Sequence, residues 1–139
     1  MRQLNIFALE KIPLIIPGDN LAKIIFNALK KSKLVIQDGD VFVIAQKIVS
    51  KAENRYVTLS EILPSKKASV LAQKTHKDPR LVELILQESN EVIRISDGVI
   101  IVEHRLGHVL ANAGVDRSNI ESKNKDEVAL LLPLNPDES

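Results

Sequence analysis

Apolar residues recur along this chain with two periods, and the switching between them predicts its elements. Gln3 to Leu9 reads as a strand, and a Pro-Leu-Ile segment then leads to a turn at Pro17-Gly18. Leu21, Ile24, Ile25, Ala28 and Leu29 fall on one face of a helix that Asp19 is placed to cap. Its basic end, Lys30, Lys31 and Lys33, suits the negative pole of the helix dipole and is read as structural. After a turn at Gln37-Asp38-Gly39-Asp40, Val41 to Ala45 is an unbroken apolar run rich in β-branched residues. That pattern predicts a strand buried on both faces.

Helical spacing returns in the middle of the chain. Thr58 and Glu61 have capping-box spacing, and a helix is expected after Pro64 to about Lys74. Asp78-Pro79 starts another, with Leu81, Val82, Ile85 and Leu86 facing inward. Glu91 to Ser96, Val99 to His104 and His108 to Ala113, separated by turns at Asp97-Gly98 and Leu106-Gly107, predict an antiparallel meander. One more apolar run lies between Asp126 and Leu134; as a last strand with an apolar tail it needs a partner, which predicts self-association into a homo-oligomer, and a frayed surface end is the alternative. The order of elements indicates one α+β domain over residues 1–139, with a mixed sheet, the meander and packed helices.

Composition narrows the function. At 139 residues and 45% hydrophobic content the chain suits a single domain with a real core. A net charge of +1 gives no broad field for nucleic acid or an anionic membrane, so any phosphate binding is local. Three Phe, one Tyr and no Trp argue against base-stacking surfaces. Without cysteine there is no thiolate zinc site, no Cys nucleophile and no disulfide, and a cytoplasmic setting is expected. Glu10 and Lys11 interrupt the apolar residues between Leu4 and Ile16, unlike a signal peptide, and no stretch is long enough to span a bilayer.

Candidate chemistry gathers in two places. The first is the charged stretch after the 41–45 run, where Lys47, Ser50, Lys51 and Arg55 stand close enough in sequence to surround an oxyanion. The second runs from Glu103 to Asn119. Gly114 frees the backbone to turn there, presenting Asp116, Arg117, Ser118 and Asn119 at a strand end. Asp116 suits magnesium or manganese, which take oxygen ligands and often use only one or two carboxylates. Two plain alternatives stand beside this: Asp116 and Asn119 satisfying a turn, and Lys47 and Lys51 simply solvated. His104 and His108 flank a hairpin turn without an obvious third ligand, a poor zinc site. No Walker loop, dinucleotide fingerprint or Gly-x-Ser-x-Gly elbow is present.

Four blocks in order resemble the gamma-glutamyl ligase family that adds glutamate to the deazaflavin coenzyme F420. They are Ile12 to Ile15, Val43 to Glu53, Ala111 to Asn119 and Leu131 to Asp137; Leu81 to Ser89 and Val102 to Arg105 also fit the pattern. The resemblance implies a GTP-dependent acid–amino acid ligase using Mg2+ or Mn2+, which joins L-glutamate to the coenzyme precursor through an acyl phosphate. It makes Asp116 a metal ligand and places Ile12, Pro13, Leu14, Ile15, Gln46, Lys47, Lys51 and Asn119 in the nucleotide site, with His104 and Arg105 contacting substrate or anion. Asn54 stands where the family usually has Gly, and His108 where an aromatic or apolar residue is common. The resemblance covers the N-terminal half of the family's length; the later Asp-Thr-Gly-Arg type segment and further acidic ligands lie outside it. A complementary C-terminal half is therefore an expected partner for catalysis, and a non-catalytic nucleotide-binding or assembly domain is the alternative.

Overall fold

A computed structural model describes residues 3–117 and 128–134. Its elements in chain order are α1 (Leu21–Ser32), α2 (Gln46–Ala52), β1 (Tyr56–Thr58), α3 (Lys66–Thr75), α4 (Pro79–Gln87), β2 (Ser89–Ser96), β3 (Val99–His104), β4 (Val109–Ala111) and β5 (Val128–Leu130), with single 3-10 turns at Leu59–Glu61 and Asn112–Gly114. The α+β class is the expected one. The sheets are antiparallel: β2, β3 and β4 form the anticipated meander, and β1 pairs with β5.

Packing follows the apolar spacing. Ala68 and Ala72 of α3 and Val82 and Ile85 of α4 close on Ile100 and Val102, the inward residues of β3, with Ala113 beneath them. A second cluster joins Leu59, Leu84, Ala129 and Leu131. Val115 packs against both, so the backbone entering Asp116 is anchored between two cores. The helices start where local chemistry stops the chain: Ser65 Oγ accepts from Ala68 N, Asp78 Oδ1 accepts from Arg80 N, and Pro79 occupies the first turn, where it needs no hydrogen-bond donor.

Several expectations are corrected. Asn20, not Asp19, caps α1 through its bond from Lys23 N; Asp19 instead accepts from Ile16 N and closes the preceding turn. Thr58 makes no side-chain cap, and Ser65 starts α3. The charged stretch after Ala45 is helical, since Gln46 to Ala52 contains no breaker. Residues 3–9 and 41–45 are not strands. Apolar character predisposes them to pair, but a strand has little stability without a neighbour, and among the described residues none lies beside them. The last strand finds its partner within the chain: β5 lies on β1, with Tyr56 opposite Leu130 and Thr58 opposite Val128. The reason offered for self-association is thereby removed.

Gly114 illustrates how close the packing is. Its φ is +65°, and a Cβ there would lie 2.7 Å from Leu132 Cγ. Gly114→Ala therefore combines a left-handed backbone penalty with a collision. It is expected to lower stability by about 2 kcal/mol, read as a shifted urea midpoint at unchanged slope.

Candidate functional site

Residues 112–116 form an unusual backbone corner. Asn112, Ala113 and Gly114 all have positive φ (52°, 52° and 65°), a left-handed run that L side chains adopt at a cost and that surrounding contacts must hold. Asn112 Oδ1 accepts from Ile100 N, and Ala113 is fully buried. The corner hands the chain to Asp116, whose N–H donates to Leu130 O at 2.9 Å while its own carbonyl accepts from Leu130 N at 2.8 Å. Leu130 thus lies between Tyr56 and Asp116, and the Asp116 backbone is fixed to β5.

The Asp116 carboxylate forms an ion pair with Lys47 Nζ. Lys47 lies in the first turn of α2, and Lys51 follows one helical turn later on the same side. Gln46 Nε2 donates to the buried Ser50 Oγ at 2.8 Å, which fixes the start of that helix. The loop carrying Ile12, Pro13 and Leu14 is joined to the far end of α2 by Gly18 N donating to Ala52 O at 2.8 Å, and Ile15 anchors it by burial. Two blocks distant in sequence therefore meet at Lys47 and Asp116. Asn119 lies outside the described residues.

Ser50 and Arg55 do not join an oxyanion ring with the lysines. Ser50 is buried, and Arg55 turns inward to Glu88. Asn54 explains its own departure from glycine: at φ 55° it occupies the region where glycine costs least and asparagine is the best-tolerated substitute.

His104 and Arg105 belong to a second cluster, centred on Glu88. Three cationic or ring nitrogens converge on Glu88 Oε2: Arg55 Nη2 at 2.8 Å, Arg105 Nε at 3.2 Å and His104 Nε2 at 3.5 Å. Arg55 Nε also donates to Leu132 O, Arg105 Nη2 to Leu134 O, and Glu53 accepts from Leu134 N. The cluster grips residues 132–134 while Asp116 grips Leu130, so one short segment links the two charged groups. Glu88 was not singled out by sequence reasoning. Its only signal was a carboxylate directly following the apolar face of α4.

His104 is fully buried. Leu106 N donates to Nδ1 at 3.1 Å, so the proton resides on Nε2, where the approach to Glu88 is too long for a full hydrogen bond. Burial holds the ring's pKa below its ordinary value; Glu88 opposes that shift, while Arg105 and His108 add to it. Because the folded ring takes a proton less readily than the unfolded one, the unfolded state binds more protons below about pH 6.5. Stability is expected to be level above that pH and to fall as pH drops through it. Denaturation midpoints at pH 7.5 and 5.5 test this, and His104→Gln should flatten the difference.

Among the described residues no three or more His, Cys, Asp or Glu side chains gather to hold a metal ion. Asp116 offers one carboxylate beside a lysine. That donor set fits a magnesium or manganese ion that keeps water and phosphate oxygens as its other ligands, and does not fit one enclosed by protein. No helix among the described residues is long and apolar enough to cross a membrane.

Fold and corner together define an α+β domain in which a lysine of α2 pairs with the carboxylate that follows a left-handed backbone corner. Comparison with known proteins supplies the family. The model of F420-0:Gamma-glutamyl ligase matches residues 10–139, and the chain belongs to that family. Coenzyme F420:L-glutamate ligase from Methanothermobacter thermautotrophicus is 45% identical over 136 residues, covering 98% of this chain and 52% of the relative. The proteins of that name from Methanopyrus kandleri and Methanocaldococcus jannaschii are 42% and 40% identical, covering 94% and 99% of this chain and 50% and 51% of their own lengths. The chain spans about half the length of the curated relatives it matches.

Proposed function

We propose that this chain carries the nucleotide- and metal-binding part of a ligase that joins L-glutamate to the coenzyme F420 precursor, with GTP as co-substrate. The supporting observation is the contact between Lys47 and Asp116, which unites the two family blocks expected to hold phosphate and metal. Joining a carboxylate to an amine requires a leaving group on the carboxylate. In this reading a precursor carboxylate oxygen attacks the γ-phosphorus of GTP, GDP departs, and an acyl phosphate forms. The glutamate amine then attacks the acyl carbon, losing a proton and releasing phosphate.

Each residue has a defined part. Lys47 and Lys51 contact phosphate oxygens and offset the charge that builds as two anions approach. Asp116 holds the magnesium or manganese ion, which when bound polarises and neutralises the phosphates. Ile12, Pro13, Leu14, Ile15 and Gln46 line the nucleotide, as does Asn119. Arg105 acts in this reading by holding Leu134, and the substrate or anion contact that the resemblance implies for His104 is not used, since that ring is buried against Glu88. The half of the relatives' length that this chain does not match completes the substrate site.

The reading is tested by thermal unfolding with GTP present. GTP with manganese should raise the midpoint, by the equivalent of about 2.7 kcal/mol at a hundredfold excess over the dissociation constant, whereas GTP with EDTA should not. Lys51→Ala should reduce the shift. No shift in a well-folded chain would overturn the nucleotide assignment and favour an assembly domain.

A further inference from the structure

The segment from Leu130 to Leu134 is fastened at almost every residue. Leu130 exchanges both backbone bonds with Asp116, Leu131 N donates to Arg55 O at 3.0 Å, Leu132 O accepts from Arg55 Nε at 2.9 Å, and Leu134 N donates to Glu53. The Leu132 side chain also lies against the corner that leads into Asp116, where a Cβ on Gly114 would stand 2.7 Å from Leu132 Cγ. Arg55 ties this segment to α2. Its N–H donates to Ser50 O at 2.9 Å in the last turn of that helix, while its carbonyl and its guanidinium both hold the segment. A guanidinium is a rigid plane, so bonds from two of its nitrogens fix its orientation: Nε to Leu132 O, and Nη2 to Glu88 Oε2 at 2.8 Å. Glu88 thereby aims Arg55.

We infer that Arg55, aimed by Glu88, is a positioning residue for the Lys47–Asp116 site, setting the place of the corner carboxylate relative to the lysines of α2. Its consequence for binding rests on the proposed nucleotide and metal reading; its effect on Asp116 rests on the geometry alone. The guanidinium points to Leu132 and Glu88, so Arg55 acts through the backbone of residues 130–132. Other contacts hold each side separately. Asn112 fixes the corner to β3, and Gly18 fixes the 12–15 loop to α2, whereas Arg55 joins the corner side to α2 itself. Such a join matters because a site for an ion and the phosphates around it works only when its groups are held to within about 0.5 Å.

The test compares the parent with Arg55→Lys and Glu88→Gln by amide hydrogen exchange, followed by NMR, and by calorimetric titration of GTP with manganese. Lysine keeps the charge, but its single ammonium cannot reproduce the guanidinium's two fixed bonds to Leu132 O and Glu88. In Arg55→Lys the amides of Asp116 and Leu130 are expected to exchange about tenfold faster relative to those of Ala72 and Val82, whose rates report the stability of the core helices. Glu88→Gln should show the same selectivity at smaller size. Affinity for GTP with manganese should fall about tenfold in Arg55→Lys, the scale of losing a group that orients a metal ligand. In an Asp116→Asn background the same substitution should change that affinity less than about twofold, because it acts through the carboxylate. The inference is overturned by equal acceleration at all these amides, by no acceleration, by parental GTP affinity despite faster exchange at Asp116, or by an effect that persists in full in the Asp116→Asn background. A parent that ignores GTP while Arg55→Lys still frees Asp116 and Leu130 selectively overturns the nucleotide assignment and supports the positioning.

Discussion

Glu88→Ala is expected to cost the fold about 3 kcal/mol, the scale on which removing one member of a buried charge group destabilises a protein. Glu88 is buried, and its Oε2 is the shared acceptor for Arg55, Arg105 and the approach of His104. Without it two guanidinium groups, each mostly removed from solvent, face one another and a neutral ring. The loss propagates, because Arg55 and Arg105 also hold the carbonyls of Leu132 and Leu134. Glu88→Gln keeps an oxygen acceptor and the shape while losing the charge, so it should lose about half as much. Urea denaturation separates the cases: an alanine variant within about 0.5 kcal/mol of the parent would show that the cluster is a solvated surface group.

Asp116→Ala is expected to act on binding far more than on the fold. Its pair with Lys47 is partly exposed and contributes about 0–1 kcal/mol to stability. The backbone bonds that fix the position run through Leu130 and do not use the side chain. If the proposed function holds, losing the carboxylate removes an oxygen ligand for the ion, and metal-dependent GTP affinity should fall on the order of 100-fold, or about 2.7 kcal/mol. Asp116→Asn keeps shape and loses charge, so it should weaken binding less. Lys47→Ala should weaken GTP binding in the presence of manganese, since under the proposed function it loses a phosphate contact and not a metal ligand.

The local elements were legible where their pattern and their partners lie together. Val82 and Ile85 announced the inward face of α4, and the run from Val99 announced β3, although Val99 to Val102 are all apolar and do not show that Ile100 and Val102 are the buried pair. The meander follows because its turn residues, Gly98 and Gly107, sit where positive φ is needed. Residues 41–45 were misread because an apolar run encodes the capacity to pair and not the presence of a neighbour. The corner at Asp116 was visible from Gly114, yet the preceding left-handed residues, Asn112 and Ala113, were not; alanine carries no sign of such a conformation. Glu88 was missed because its role depends on Arg55, Arg105 and His104 converging through tertiary packing, which no spacing in the chain expresses.

The central claim is that Lys47 and Asp116 form one metal–nucleotide site, and calorimetric titration of GTP tests it most directly. Parent and Asp116→Ala proteins are titrated side by side, each with manganese and with EDTA. The account predicts binding by the parent that requires manganese and is weakened about 100-fold in the variant at unchanged fold. A GTP affinity indifferent to both manganese and Asp116, or no binding by the well-folded parent, would contradict it.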